Sequence, residues 1–215
     1  AVWMKQLFRE RFRPARLLVS NVAGEQPRDR IAREAERLWQ IKPEFAATAT
    51  VAHGVTHGYK DVTLHGVDRW LAVIAAYKLA GGAACVIDAG TAVTIDAVDA
   101  RGLHLGGLII PGIHLMIDSL LDRTADIARN ARKVSAPAAS GLLATGTAEA
   151  VANGAILAIA AAADRAVAEV TRRTGAVPSV FVTGGDAQRL QKVMESPSEE
   201  VADLVLQGLA LGVRA

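Results

Sequence analysis

The chain has 215 residues, 51% of them apolar and 4% aromatic, with a formal net charge of +2. That length fits one large domain or two small lobes around a real core, and near-neutrality argues against an extended nucleic-acid footprint. A single cysteine, Cys85, excludes an intrachain disulfide framework; its apolar setting, Ala83 to Ile87, makes it a small buried hydrophobe suited to a reducing compartment.

The chain starts on Ala1 rather than Met and carries Lys5, Arg9 and Glu10 without an apolar run. No signal peptide is expected, and the N-terminus is expected to be trimmed or incomplete. Residues 3–12 have the pattern of a short helix with Leu7 and Phe8 on one face, stopped by Pro14. Arg16 to Ser20 is a short buried strand, and Ile31, Ala35 and Leu38 recur at helical spacing over residues 28–40. The nearby basic residues, Arg9, Arg11, Arg13 and Arg16 and then Arg28, Arg30, Arg33 and Arg37, alternate with Glu34 and Glu36 and form solvated faces. A strand is expected over residues 46–51, a Gly-rich polar loop from His53 to Gly66, and a helix from Val67 to Leu79, ended by Gly81-Gly82.

The middle of the chain is a meander. Ala84 to Asp88, Val93 to Val98 and His104 to Ile110 are strands, joined by Ala89-Gly90-Thr91 and by Asp99 to Gly102 and stopped by Pro111-Gly112. A helix from Ile113 to Leu121, a Ser/Ala/Pro/Gly linker over residues 134–146 and an Ala-rich helix from Thr147 to Arg173 follow. The most apolar part of that last helix, Ala155 to Ala163, is too short to span a bilayer. A strand from Val177 to Thr183, a Gly184-Gly185 turn, a helix from Asp186 to Met194 and a final helix from Val201 to Val213 complete the reading.

Three segments carry chemistry. Asp88-Ala89-Gly90-Thr91 is a tight turn between apolar strands, where glycine lets backbone N–H groups approach a phosphate, Thr91 adds a hydroxyl and Asp88 can hold a cation or water; taken alone it is also an ordinary hairpin. Thr183-Gly184-Gly185-Asp186 at a strand-to-helix junction lets a nucleotide lie against bare backbone, or is simply a tight connection with Asp186 as helix N-cap. Gly66-Val67-Asp68-Arg69-Trp70 opens a helix with a carboxylate that could orient a hydroxyl proton beside a guanidinium that could hold an anion, or with no more than an acid placed well in the first turn.

In order, these segments resemble the type III pantothenate kinase family. The resemblance also takes in Gly54 to Tyr59, Gly106-Gly107-Leu108-Ile109-Ile110-Pro111-Gly112, Thr124-Ala125, Thr147 to Gly154 and Leu204 to Leu209, and runs from about Leu18 to the end of the chain. It implies an α/β, actin/hexokinase-like (ribonuclease H-like) ASKHA fold of two lobes of mixed sheet flanked by helices, with residues 1–66 the remainder of the N-terminal lobe and residues 67–215 the C-terminal lobe. It implies ATP-dependent phosphorylation of pantothenate to 4'-phosphopantothenate, the first step toward coenzyme A, with Mg2+ and a monovalent cation (K+ or NH4+), in a cytoplasmic homodimer that binds neither nucleic acid nor membrane.

By the same resemblance Asp68 is the base; Tyr59, Gly66, Val67, Asp68 and Arg69 bind pantothenate; and Thr147 reaches the site of a neighbouring subunit. Asp88, Gly90 and Thr91 form a phosphate turn with Asp88 beside the metal, and Gly184 and Gly185 face the nucleotide. The family's opening Asp-x-Gly-Asn-Thr has no match, so the N-terminal lobe is expected to be incomplete and the activity of the chain as it stands low. The same gap leaves an alternative, a non-catalytic ASKHA-like accessory or regulatory protein. His57 and His65 replace a more usual Asn and Leu.

Other features have plainer readings. His53 and His57 are four apart but flanked by glycines and lack an evident third ligand, which disfavours zinc. His104 and His114 are expected on strand and helix surfaces, and Trp3, Trp39 and Trp70 in packing. Gly154, Ala158 and Ala161 form a stripe of small residues suited to a dimer contact.

Overall fold

The computed structural model describes residues 14–130 and 142–212. The expected helix over residues 3–12, with Trp3, Arg9, Arg11 and Arg13, most of the 134–146 linker and the end of the last helix lie outside them.

The first part of the chain makes small units. Strand β1 (Leu18–Val19) pairs in parallel with β2 (Glu44–Phe45) across helix α1 (Glu25–Trp39). The apolar spacing works as read: Ile31 and Ala35 are the buried residues of α1. The strand expected over residues 46–51 is displaced to either side. Its upstream neighbour is β2, where Glu44 N–H donates to the Leu17 carbonyl and Ala46 N–H to that of Val19. Its downstream neighbour is β3 (Val51–Ala52), in a hairpin with β4 (Val55–Thr56). The segment expected to be pure loop thus contains β4 and a short 3-10 turn, Val62–Leu64.

Helix α2 (Val67–Ala80) leads into β5 (Ala84–Ala89), β6 (Ala92–Val98) and β7 (His104–Pro111), which form the expected antiparallel meander, Ala84 opposite Val98 and Ala92 opposite Pro111. Helices α3 (Ile113–Arg123), α4 (Ala125–Asn130) and α5 (Thr147–Thr174) follow, then β8 (Ser179–Thr183), α6 (Ala187–Gln191), β9 (Glu199–Glu200) and α7 (Leu204–Ala210). Strands β8 and β9 extend the sheet in parallel to β5, giving the order β7-β6-β5-β8-β9. This mixed sheet with helices on both faces is the fold class that the resemblance implied.

Strand alternation assigns the two cores. Cys85, Ile87, Ala89, Val93, Ile95, Val180 and Val182 meet Ile156, Ile159 and Ala163 of α5. Ala84, Val86, Val98 and Phe181 meet Trp70, Leu71 and Ile74 of α2 and Leu204 and Leu209 of α7. Ile113 and Ile117 of α3 and Ala187 and Leu190 of α6 complete the first core beside α5.

As a whole the 28-residue α5 is long and apolar enough by length and composition to cross a membrane, although its most apolar stretch, Ala155 to Ala163, is too short to do so alone. Its apolar stripe is nevertheless spent on the sheet, and Asp164 accepts hydrogen bonds from the backbone N–H groups of Glu195 and Ser196. Asp186 stands at the N-cap position of α6 but does not cap it; its carboxylate pairs with Arg189 instead.

Candidate active site

The register of the meander builds the site. Asp88 lies opposite Thr94, and Asp96 opposite Val86 on one side and Gly107 on the other. With side chains alternating along each strand, Asp88 and Asp96 both project to the face that α2 covers, Asp88 at the strand end and Asp96 in mid-strand. Helix α2 begins over that face, so Asp68 and Arg69, neighbours in sequence, meet different strand carboxylates.

Asp68 is the electrostatic neighbour of Asp88. Burial first, and then the charge of Asp68, raise the Asp88 carboxyl above its ordinary value. No basic side chain pairs with Asp88 among the described residues. Arg69 is committed elsewhere: Nε and Nη2 donate to Asp96 Oδ2 and Oδ1 at 2.8 and 2.7 Å, a bidentate pair with both partners buried. Nη1 lies 3.4 Å from the Tyr59 hydroxyl. Burial alone would raise the Asp96 carboxyl; His104, His65 and Arg69 beside it, with the charge of Arg69, outweigh it and hold the carboxyl well below the usual range. Tyr59, Asp68 and Arg69 are therefore brought together, with Gly66 and Val67 at the start of the same helix.

The Asp88–Thr91 turn is packed against the second glycine segment. Asp186 N–H donates to the Ala89 carbonyl at 3.1 Å, and Gly112 N–H to the Thr91 carbonyl at 2.9 Å. Gly184 sits at φ +94°, and a Cβ there would come 2.7 Å from Asp88 Oδ1 and strike the Ala89 carbonyl. Asp88, Gly90, Thr91, Gly184 and Gly185, nearly a hundred residues apart in sequence, thus share one end of the sheet, with Thr91, Gly184 and Gly185 exposed. A cavity of about 350 Å³ lined by Asp88, Thr183, Gly184, Asp203 and Leu206 opens beside them.

Thr147 is not brought to this group. It is the first residue of α5, on the opposite face of the sheet, where it lines an apolar groove of about 690 Å³ with Leu115, Met116, Leu120 and Gly154.

Sequence reading missed three site residues. Asp96 had a signal, a lone carboxylate on the α2-facing register of an apolar strand. His65 and His104 had none. His104, expected on a surface, is 1% exposed, and His57 and His65 are buried with it. His53 stands apart, but ring nitrogens of His57, His65 and His104 all lie within 4.8 Å of one another, so the expected lack of a third histidine does not hold.

Comparison with known proteins accords with this geometry. A family model described as type III pantothenate kinase matches residues 1–169. A type III pantothenate kinase of Nitrosococcus oceani is 36% identical over 200 residues, 91% of this chain and 74% of that protein. One from Pseudomonas paraeruginosa is 39% identical over 212 residues, 97% of this chain and 84% of the relative. Among solved structures, one described as a conserved Baf family transcriptional activator from Campylobacter jejuni superposes with a TM-score of 0.55 at 19% identity, over 96% of this chain and 85% of that one, a likeness of fold.

Proposed function

The chain belongs to the type III pantothenate kinase family, and we propose that it transfers the γ-phosphoryl group of ATP to the primary hydroxyl of pantothenate. The observation that carries this reading is the facing of Asp68, at the start of α2, and Asp88, in the glycine turn that ends β5, close enough for one charge to shift the other carboxyl. One carboxylate suits the acceptor hydroxyl and the other the phosphate end of the nucleotide.

In the proposed reaction the hydroxyl oxygen of pantothenate forms a bond to the γ-phosphorus as the bond to the β–γ bridging oxygen breaks, releasing ADP. The hydroxyl proton passes to the Asp68 carboxylate. Such transition states are loose and reward positioning over strong basicity. Arg69 and Tyr59 hold pantothenate, Gly90 and Thr91 present donors to the phosphates, and Gly184 and Gly185 leave room for the nucleotide.

A partly buried carboxylate, raised by a like charge and unpaired with any basic side chain among the described residues, fits a cation, and Asp88 would hold it. When bound, Mg2+ and a monovalent cation would offset phosphate charge.

We place the lobe boundary at residues 66/67, because α2 packs with β5 and α7. The chain acts as a cytoplasmic homodimer through the outward face of α5, where Ala150, Gly154, Leu157, Ala158 and Ala161 are exposed beside the apolar groove. Thr147 then serves the partner's site, which explains its distance from Asp68. Formation of 4'-phosphopantothenate from pantothenate and ATP, followed by mass spectrometry, tests the proposal; a protein that consumes ATP only with another alcohol refutes it.

A further inference from the structure

The buried histidines are arranged as an ordered chain. Tyr59 backbone N–H donates to His57 Nδ1 at 2.9 Å. That nitrogen is an acceptor, so a neutral His57 carries its proton on Nε2, which lies 2.8 Å from His65 Nδ1. His65 then carries its proton on Nε2, which lies 3.5 Å from Asp96 Oδ1 and makes no hydrogen bond there. From the other side His104 Nε2 reaches the same oxygen at 3.1 Å. The rings of His65 and His104 stack at 5.0 Å with 8° between planes. Burial, the first cause, with neighbouring His65 and His104, lowers the His57 pKa to about 4, in keeping with a neutral His57 ring.

His104 ends on Asp96, and Asp96 takes two donors of Arg69. We propose that Asp96, held by His104, is the positioning residue that fixes the Arg69 guanidinium for pantothenate. Two consequences follow from the geometry. Arg69 cannot swing as a free cation, because Nε and Nη2 are pinned, and its remaining N–H groups point in one fixed direction past Tyr59. The Arg69–Asp96 unit is also close to neutral, so it selects its ligand by directed hydrogen bonds more than by net charge. Gly107 belongs to the device: it faces Asp96 across the ladder, and a Cβ there would come 2.7 Å from Arg69 Nη2 and strike Asp96.

A metal centre is the competing use of the histidines. His57 Nδ1 accepts from the Tyr59 N–H and His65 Nδ1 is occupied by the bond from His57, so two of the three rings have a lone pair already committed. The geometry therefore favours protons over a metal.

This inference rests on the pantothenate kinase reading, and the test separates the two. Initial rates are measured for wild type, Asp96→Asn, His104→Leu and His104→Gln with each substrate varied. Asp96→Asn keeps shape but loses the paired acceptors, and the KM for pantothenate should rise roughly tenfold or more, with kcat and the KM for ATP changed less than about threefold. His104→Gln still offers a donor to Asp96 and should stay near wild type, whereas His104→Leu should resemble Asp96→Asn. A purely structural role would lower kcat through a smaller folded fraction and leave KM alone, and that result overturns the proposal. If the leucine and glutamine variants at position 104 behave alike, it is equally overturned. A wild type that does not phosphorylate pantothenate refutes the functional reading instead. Zinc retained at one ion per chain after dialysis, and lost in His65→Ala, would overturn the neutral hydrogen-bonded chain; no retained zinc is expected.

Discussion

Arg69 and Asp96 are 27 residues apart in sequence and joined by two charge-assisted hydrogen bonds inside the protein. The pair ties the helix carrying Asp68 to the strand beside the one carrying Asp88, so the two carboxylates proposed to act on opposite ends of the reaction are held by one buried bond. Arg69→Ala removes this tie and leaves Asp96 buried without its cation, which costs about 3–5 kcal/mol of stability. Calorimetry should show a clearly lower unfolding temperature, and pantothenate binding should weaken more than ATP binding. An unchanged unfolding temperature would contradict the tie.

Gly107→Ala tests the same pair from the strand side. The added methyl would strike the Asp96 carboxylate, the Ile95 carbonyl and the Arg69 guanidinium, and we expect the KM for pantothenate to rise by roughly ten- to a hundredfold, equivalent to about 1–3 kcal/mol of lost hydrogen bonding. Two-substrate kinetics check it; an unaltered KM would show that the space at Gly107 is unused.

The nucleotide end is probed at Gly184. Alanine there takes a strained positive φ, at a cost of about 1–3 kcal/mol, and pushes on the Ala89 carbonyl of the phosphate turn. The KM for ATP should rise with that for pantothenate little changed. Thr91→Ala, which removes only a hydroxyl, should act in the same direction and more weakly. Isothermal titration with a non-hydrolysable ATP analogue gives the comparison.

His57 sets a pH dependence of stability. Its folded value, about 4, lies below the ordinary 6.5, so the unfolded chain binds a proton that the folded chain refuses. This contribution is fully present above about pH 6.5 and is lost as pH falls toward about 4. Burial, the largest cause, opposes protonation of the ring; of the groups that face it, His65, His104 and Arg69 oppose protonation too, and Asp96 favours it. Urea unfolding midpoints measured across this window should fall with acid in wild type and fall less in His57→Gln. Parallel curves would contradict the assignment.

Most of the fold was legible in the sequence because the meander and its helices obey simple periods. Alternation in Val93 to Val98 and helical spacing at Ile31 and Ala35 hold in the structure. Short strands were not legible: Glu44–Phe45 and Glu199–Glu200 are two residues each, fixed by tertiary pairing and not by local pattern. Of the candidate site, the glycine turns and the Asp68-Arg69 pair stand out in the sequence by their spacing. The partner of Arg69 does not, because only the register of β6 shows which carboxylate a helix start will meet. The histidines were misread for a related reason: each looked exposed in a polar loop or strand end, and their burial comes from Tyr59 and Trp70 closing over them.

Association through α5 is tested at Gly154. It is exposed on the helix, and a Cβ added there would meet nothing within 4 Å among the described residues. Leucine should therefore leave the fold intact and weaken the dimer. Light scattering across a concentration series is the measurement; a wild-type protein that stays monomeric throughout would contradict the dimer.

The central claim is that Asp68 receives the pantothenate hydroxyl proton while ATP is held elsewhere. The direct measurement is ATP-dependent formation of 4'-phosphopantothenate by wild type and Asp68→Asn, with ATP affinity determined on the same samples. Loss of a positioned proton acceptor should lower turnover by about 10²–10⁴-fold while ATP affinity stays within a few-fold of wild type. Near-normal turnover in Asp68→Asn, beside an active wild type, would contradict the role of Asp68 and with it the account of the site.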